Sequence, residues 1–122
     1  MKQIKLVIPM RIFPKPRPRQ GKYGNFYTPR DEREDNLESY FWQFVKENKL
    51  KLLTADLRVD CIYFCQSEKR PCDKDNADKT IGDSGEGILW KNDRQIADGR
   101  TRFITNNKKD SIEIIISEAK GG

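Results

Sequence analysis

Asp56-Leu57-Arg58-Val59-Asp60-Cys61-Ile62-Tyr63-Phe64-Cys65-Gln66 is the run that decides the fold class of this chain. Leu57, Val59, Cys61, Tyr63 and Cys65 fall on one side of a period-two pattern, and Arg58, Asp60, Ile62 and Phe64 on the other. Side chains two apart share a face in extended backbone, so the run is a strand. Its second face turns apolar toward the end, which predicts cover on both sides there. Pro71 then breaks the chain.

Working outward, residues 2–9 alternate in the same way, with Ile4, Leu6 and Ile8 on one face and Pro9 at the end. Residues 94–104 and 110–118 read as two more strands, the second with Ile112, Ile114 and Ile116 facing one way, and Asn106-Asn107-Lys108-Lys109 as a hairpin turn between them. Between the first strand and 56–66 the period changes. Leu37, Phe41, Phe44 and Val45 recur at helical spacing. Thr28 is placed to cap that helix, with Pro29 at its first position and Asp31, Glu32, Glu34 and Asp35 at the positive end of its dipole. It should end near residues 48–50. A second helix should begin near Asn76 and stay short, because Gly82, Gly85 and Gly87 each weaken it. The expectation is a single α+β domain spanning residues 1–122, a mixed sheet of about four strands with two helices packed on it. Gly121-Gly122 reads as a frayed tail.

Residues 13–28 fit neither period. Pro14, Pro16, Pro18, Gly21 and Gly24 forbid a helix and disfavour a central strand. This is an extended loop, long for a small domain. It also carries the charge of the protein. Residues 11–30 hold Arg11, Lys15, Arg17, Arg19, Lys22 and Arg30 and no acid, whereas the rest of the chain has 19 acidic against 18 basic residues. The net charge of +5 is therefore local. Phe13, Tyr23, Phe26 and Tyr27 are interleaved with it. Basic side chains neutralise phosphates and aromatics stack on exposed bases. Lys15, Arg17, Arg19 and Lys22 are the candidate DNA contacts; a plain solvated loop has the same composition.

No apolar run approaches the ~20 residues that span a bilayer, and the N-terminus lacks a signal-peptide core. A cytosolic protein with no membrane partner is expected. Cys61, Cys65 and Cys72 fit a reducing compartment. Their spacing, in a chain without histidine, matches zinc poorly, and the first two read as small buried residues on a strand.

The chemistry-bearing stretch is Cys72-Asp73-Lys74-Asp75-Asn76-Ala77-Asp78-Lys79, followed by Trp90-Lys91-Asn92-Asp93-Arg94-Gln95. Without histidine most acid–base and nucleophilic triads are closed. Hard divalent ions remain, since Mg²⁺ and Mn²⁺ prefer carboxylate oxygens. Asp73 and Asp75, two apart in extended backbone, would share a face, with Asp75 at the lip of the helix, Lys79 one turn on, and Asp93 returning from the far end of the glycine-rich segment. Such a set could hold one or two metal ions, with the lysine stabilising transition-state charge. Aspartates that merely solvate a loop and cap a helix would look the same. Three other motifs fail on residue type. Ala77 and Asp78 break an EF-hand, Ile88 follows the glycines where a P-loop needs Lys, and Gly82-Asp83-Ser84-Gly85 has no histidine to make a protease triad.

Asp73-Lys74-Asp75-Asn76, Lys79, Asp83, then Gly87-Ile88-Leu89-Trp90-Lys91-Asn92-Asp93-Arg94-Gln95-Ile96 resembles the RusA family of Holliday-junction resolvases, common in phages and prophages. Lys15-Pro16-Arg17-Pro18-Arg19 and Tyr27-Thr28-Pro29 resemble the corresponding segment of phage-type members. The resemblance runs from about residue 4 to residue 116. It implies a homodimeric, Mg²⁺-dependent endonuclease, with Mn²⁺ a substitute, that nicks four-way DNA junctions in pairs and leaves 5′-phosphate and 3′-hydroxyl ends. It puts metal ligands at Asp73, Asp75 and Asp93 and a catalytic lysine at Lys79, with Asn76 and Asp83 in support. Three features depart from the pattern. Ala77-Asp78 replaces a hydrophobic residue, Gly82–Gly87 predicts a shorter, looser helix, and Asn92 stands where a second acid is expected. The rival readings are a nuclease of flaps or forks, and a DNA-binding protein without catalysis.

Overall fold

The computed structural model describes residues 3–16, 19–27 and 31–119. Its centre is β4 (Leu57–Phe64), the run that opened the sequence reading. Leu57, Val59, Cys61 and Tyr63 are buried, as is Cys65 just beyond, and the residues between them are half-buried. β7 (Ser111–Glu118) pairs antiparallel along the full length of β4, and β1 (Ile4–Ile8) pairs antiparallel with the other side of β7. The register sets Cys61 opposite Ile114 and Leu6 opposite Ile114 on its other side, so one face of three strands is continuously apolar. That face joins Leu37 and Phe41 of α1 (Glu32–Asn48) and Ala77 and Ile81 of α2 (Lys74–Gly85) in a single core. Each leucine, isoleucine or phenylalanine buried there stabilises the fold by roughly 1.5–3 kcal/mol. The cover expected on the second face of β4 is incomplete, since Ile62 and Phe64 are only half-buried.

The far edge differs from expectation. β5 (Ile96–Asp98) pairs in parallel with the start of β4, and β6 (Thr101–Ile104) in parallel with its end. They form one edge broken at Gly99, where φ is +152° and a Cβ would overlap the Val59 carbonyl. Because β4 lies between β6 and β7, residues 105–110 are not a hairpin turn. They wrap the end of β4, with Asn107 N–H donating to Cys65 O at 2.9 Å and Gln66 N–H to the Asp110 carboxylate at 2.8 Å. The mixed five-stranded sheet with two helices makes the fold α+β, as expected.

The long loop contains a second, two-stranded ribbon that its prolines and glycines concealed, β2 (Arg19–Gln20) antiparallel to β3 (Phe26–Tyr27). α1 follows. Its N-cap is Asp31, whose carboxylate accepts from Arg33 N–H at 2.9 Å; the proposed cap Thr28 and its neighbour Pro29 lie outside the described residues. It ends at Asn48, with Lys49 left-handed beyond it.

α2 is neither short nor loose. It runs twelve residues, through Gly82 to Gly85. Helix propensity argues against both glycines by about 1 kcal/mol each, but packing overrides it. Trp90 is wholly buried, its Nε1–H donates to Gly82 O at 3.0 Å, and its ring lies on Gly85 where a Cβ would go. Gly85→Ala should therefore destabilise the protein by about 1–3 kcal/mol, the usual cost of overpacking. Gly82→Ala should be neutral or slightly stabilising, because its Cβ would meet only ordinary contacts at 3.6 and 3.9 Å. Thermal unfolding of the two variants checks this, and equal midpoints would contradict it.

Candidate active site

α2 presents the candidate residues in order. Asp73 is its N-cap, with Oδ1 accepting from Asn76 N–H at 2.8 Å and Oδ2 from the Asn76 side chain at 3.4 Å. The helix begins at Lys74, so Asp75 lies in the first turn. Asp73 and Asp75 are not the extended pair expected from their spacing: helix geometry has replaced strand geometry between them. What the helix does align is Asp75, Lys79 and Asp83, four residues apart and hence along one stripe. Asp75 and Lys79 are exposed, and Asp83 is half-exposed.

Asp93 reaches this stripe from the other side. It opens a single 3₁₀ turn (Asp93–Gln95), and its Cβ lies 3.6 Å from where a Cβ on Gly82 would be. The turn is fixed by a capping box. Asn92 Oδ1 accepts from Arg94 N–H at 2.9 Å, and Gln95 Oε1 accepts from Asn92 N–H at 2.7 Å. The Gln95 amide also donates to Leu53 O and Ala55 O, both at 2.9 Å. Asn92 is thus a cap, which gives the amide a local purpose where the sequence pattern expects an acid.

Asp83 and Asp93 are neighbours in the site. Burial raises the Asp83 carboxyl above its usual range. Lys15 opposes that shift, the Asp93 charge and a hydrogen bond shared with Asp93 add to it, and Lys79 opposes it. Two neighbouring carboxylates repel, and an all-oxygen donor set suits a hard divalent cation. The residues present fit such an ion in chemistry. The geometry brings together Asp83 and Asp93 rather than Asp73, Asp75 and Asp93, and among the described residues no three metal-ligating side chains converge on one point.

Lys15 is the residue whose place the sequence concealed. It is a candidate DNA contact, and its ammonium lies 2.8 Å from Glu34 of α1 and 3.6 Å from Asp83 of α2. Burial pulls the Lys15 pKa down, yet the hydrogen bond and charge of Glu34, then Asp83, outweigh it and leave the pKa raised. The other candidate DNA contacts divide. Lys22 is exposed at the turn of the ribbon; Arg17 and the Arg19 side chain lie outside what the structure describes.

Asp78, the departure beside Ala77, faces inward. Its carboxylate accepts from Tyr63 O–H at 3.0 Å and Thr101 O–H at 2.7 Å, tying α2 to β4 and β6 beside a cavity of about 340 Å³. A carboxylate here needed two hydroxyl donors from separate strands, and no local pattern announces them. Burial pushes the neighbouring Cys61 thiol up to about 12, so it is an inert packing group, as its place on a strand implied. No helix among the described residues is long and apolar enough to cross a membrane.

Residues 9–117 match the sequence model of a family described as Endodeoxyribonuclease RusA. No curated protein matches the chain.

Proposed function

Because the chain belongs to the RusA family of endodeoxyribonucleases, we propose that it resolves four-way DNA junctions by paired, symmetric, Mg²⁺-dependent nicks. The observation that carries this reading is the stripe Asp75–Lys79–Asp83 on α2 with Asp93 delivered against it. Asp83 and Asp93, which lie together, and Asp75 on the same stripe of α2 would hold the metal. Asp73 could join them, because capping does not exhaust the lone pairs of a carboxylate. Bound Mg²⁺ or Mn²⁺ would supply Lewis acidity toward the scissile phosphate and a more acidic water.

The chain's own groups have separate tasks. Lys79, exposed between two carboxylates of the stripe, would donate to the phosphoryl oxygen that gains charge as water attacks phosphorus; the P–O3′ bond breaks and the 3′ oxygen takes a proton, giving a 5′-phosphate and a 3′-hydroxyl. Gln95 would hold Asp93 in register through its two backbone acceptors. Lys15 would neutralise Asp83 and hold the root of the basic loop against both helices. A protein that only bound DNA would gain nothing from clustered carboxylates near phosphate.

A labelled mobile junction incubated with Mg²⁺ and resolved at nucleotide level tests the reading. Two symmetric, ligatable nicks are expected. Faster cutting of a flap or fork would transfer the activity to those substrates, and absence of metal-dependent products would leave a binding protein. Paired nicks also call for a two-fold enzyme, so a C2 homodimer is expected. Light scattering that finds a monomer at micromolar concentration, free and with junction, would contradict it.

A further inference from the structure

The β2–β3 ribbon ends in a turn whose tip is exposed. Lys22, Tyr23, Asn25 and Phe26 are all exposed, Tyr23 to 86% and Phe26 to 76%. The turn is closed by Gly24 N–H donating to Gly21 O at 3.1 Å, with Gly24 at φ +81°. Two large aromatics held in water contribute nothing to the core, and exposed apolar groups concentrated in one place mark an interaction surface. Their setting selects the partner, since the ribbon lies within the segment that holds six basic residues and no acid. A polyanion with accessible ring faces meets both requirements.

Paired bases in a duplex stack on each other and offer only their edges to a protein. Ring faces become available where pairing fails, and such bases cost least to unstack. The root of the ribbon is tethered near the chemistry. Lys15 lies 3.6 Å from Asp83, and the four steps from Lys15 to Arg19 can span no more than about 14 Å. We infer that Tyr23 and Phe26 stack on unpaired bases at the branch point, so that the ribbon tip recognises branching itself while phosphate contacts supply affinity without discrimination. The inference rests on the nuclease reading above for the identity of the substrate. It assigns selectivity to a part of the chain that carries none of the proposed catalytic groups.

The test uses the full chain in EDTA, with a four-way junction and a linear duplex, each carrying 5-iodouracil either beside the branch position or in mid-arm. Irradiation should crosslink the branch-flanking base to Tyr23 or Phe26, mapped by mass spectrometry, and leave mid-arm and duplex bases free of these residues. Tyr23→Ala with Phe26→Ala should lower junction affinity at least about fivefold per stacked base, with duplex affinity unchanged. Tyr23→Phe with Phe26→Tyr should restore it. Crosslinks confined to other residues, equal losses on both DNAs, or no loss on either would overturn the inference. Because no metal is present, the two readings fail separately. A protein that crosslinks at the tip but never nicks in Mg²⁺ keeps this inference and loses the catalytic one. A protein that nicks junctions normally with both aromatics removed does the reverse.

Discussion

Asp75→Asn should reduce cleavage by about three orders of magnitude while junction binding persists or tightens. A metal ion at the reacting phosphate is worth several kcal/mol of transition-state stabilisation, and each 1.4 kcal/mol is tenfold in rate. Removing a carboxylate from the surface that meets phosphate also removes a repulsion. The fold should survive. Asp75 is exposed in the first turn of α2, where a negative charge is worth at most about 1 kcal/mol to the helix. Asp93→Asn should behave alike in cleavage, and its cap and register bonds involve backbone and neighbours rather than its own carboxylate. Single-turnover rates beside binding constants in EDTA separate the two quantities. Near-normal turnover of Asp75→Asn in Mg²⁺ would remove it from the metal site.

Lys79→Ala should lower the turnover of bound enzyme by roughly 100- to 1,000-fold, the range found when one donor aimed at transition-state charge is removed. Binding should change only modestly, since Lys79 would be one cation among the many that meet the backbone. Helix stability argues for a clean experiment: the side chain is exposed and alanine is the best helix former. A fall in affinity with an unchanged rate at saturation would make Lys79 a phosphate contact and nothing more.

The parts of this structure that could be read from the sequence are those whose burial is one-sided. β1, β4 and β7 each bury every second residue, and α1 buries Leu37 and Phe41 on one stripe, so period alone reveals them. Where partners are distant, period says little. β5 and β6 are three and four residues long and take their direction from β4, which no local pattern encodes. α2 outlasts its glycines because an indole from outside the helix needs their space. In the site, Asp75, Lys79 and Asp93 were visible as types at a spacing, and the stripe on α2 agrees with the one-turn relation of Asp75 to Lys79. The pairing of Asp83 with Asp93 was not visible, nor was the inward turn of Lys15, because both depend on how a loop and a helix meet.

The segment from Trp90 to Gln95 is anchored at both ends, by an indole seated on Gly85 and by an amide bound to two carbonyls at Leu53 and Ala55. Asp93 lies between these anchors, so its position is set by a count of residues. One residue inserted or deleted there would have to give up the tryptophan's seat, the glutamine's acceptors, or the carboxylate's place beside Gly82. Variation in chain length is therefore closed to this strap and open to the exposed turn of the ribbon. There, added residues would lengthen a reach toward DNA without moving any group on α2.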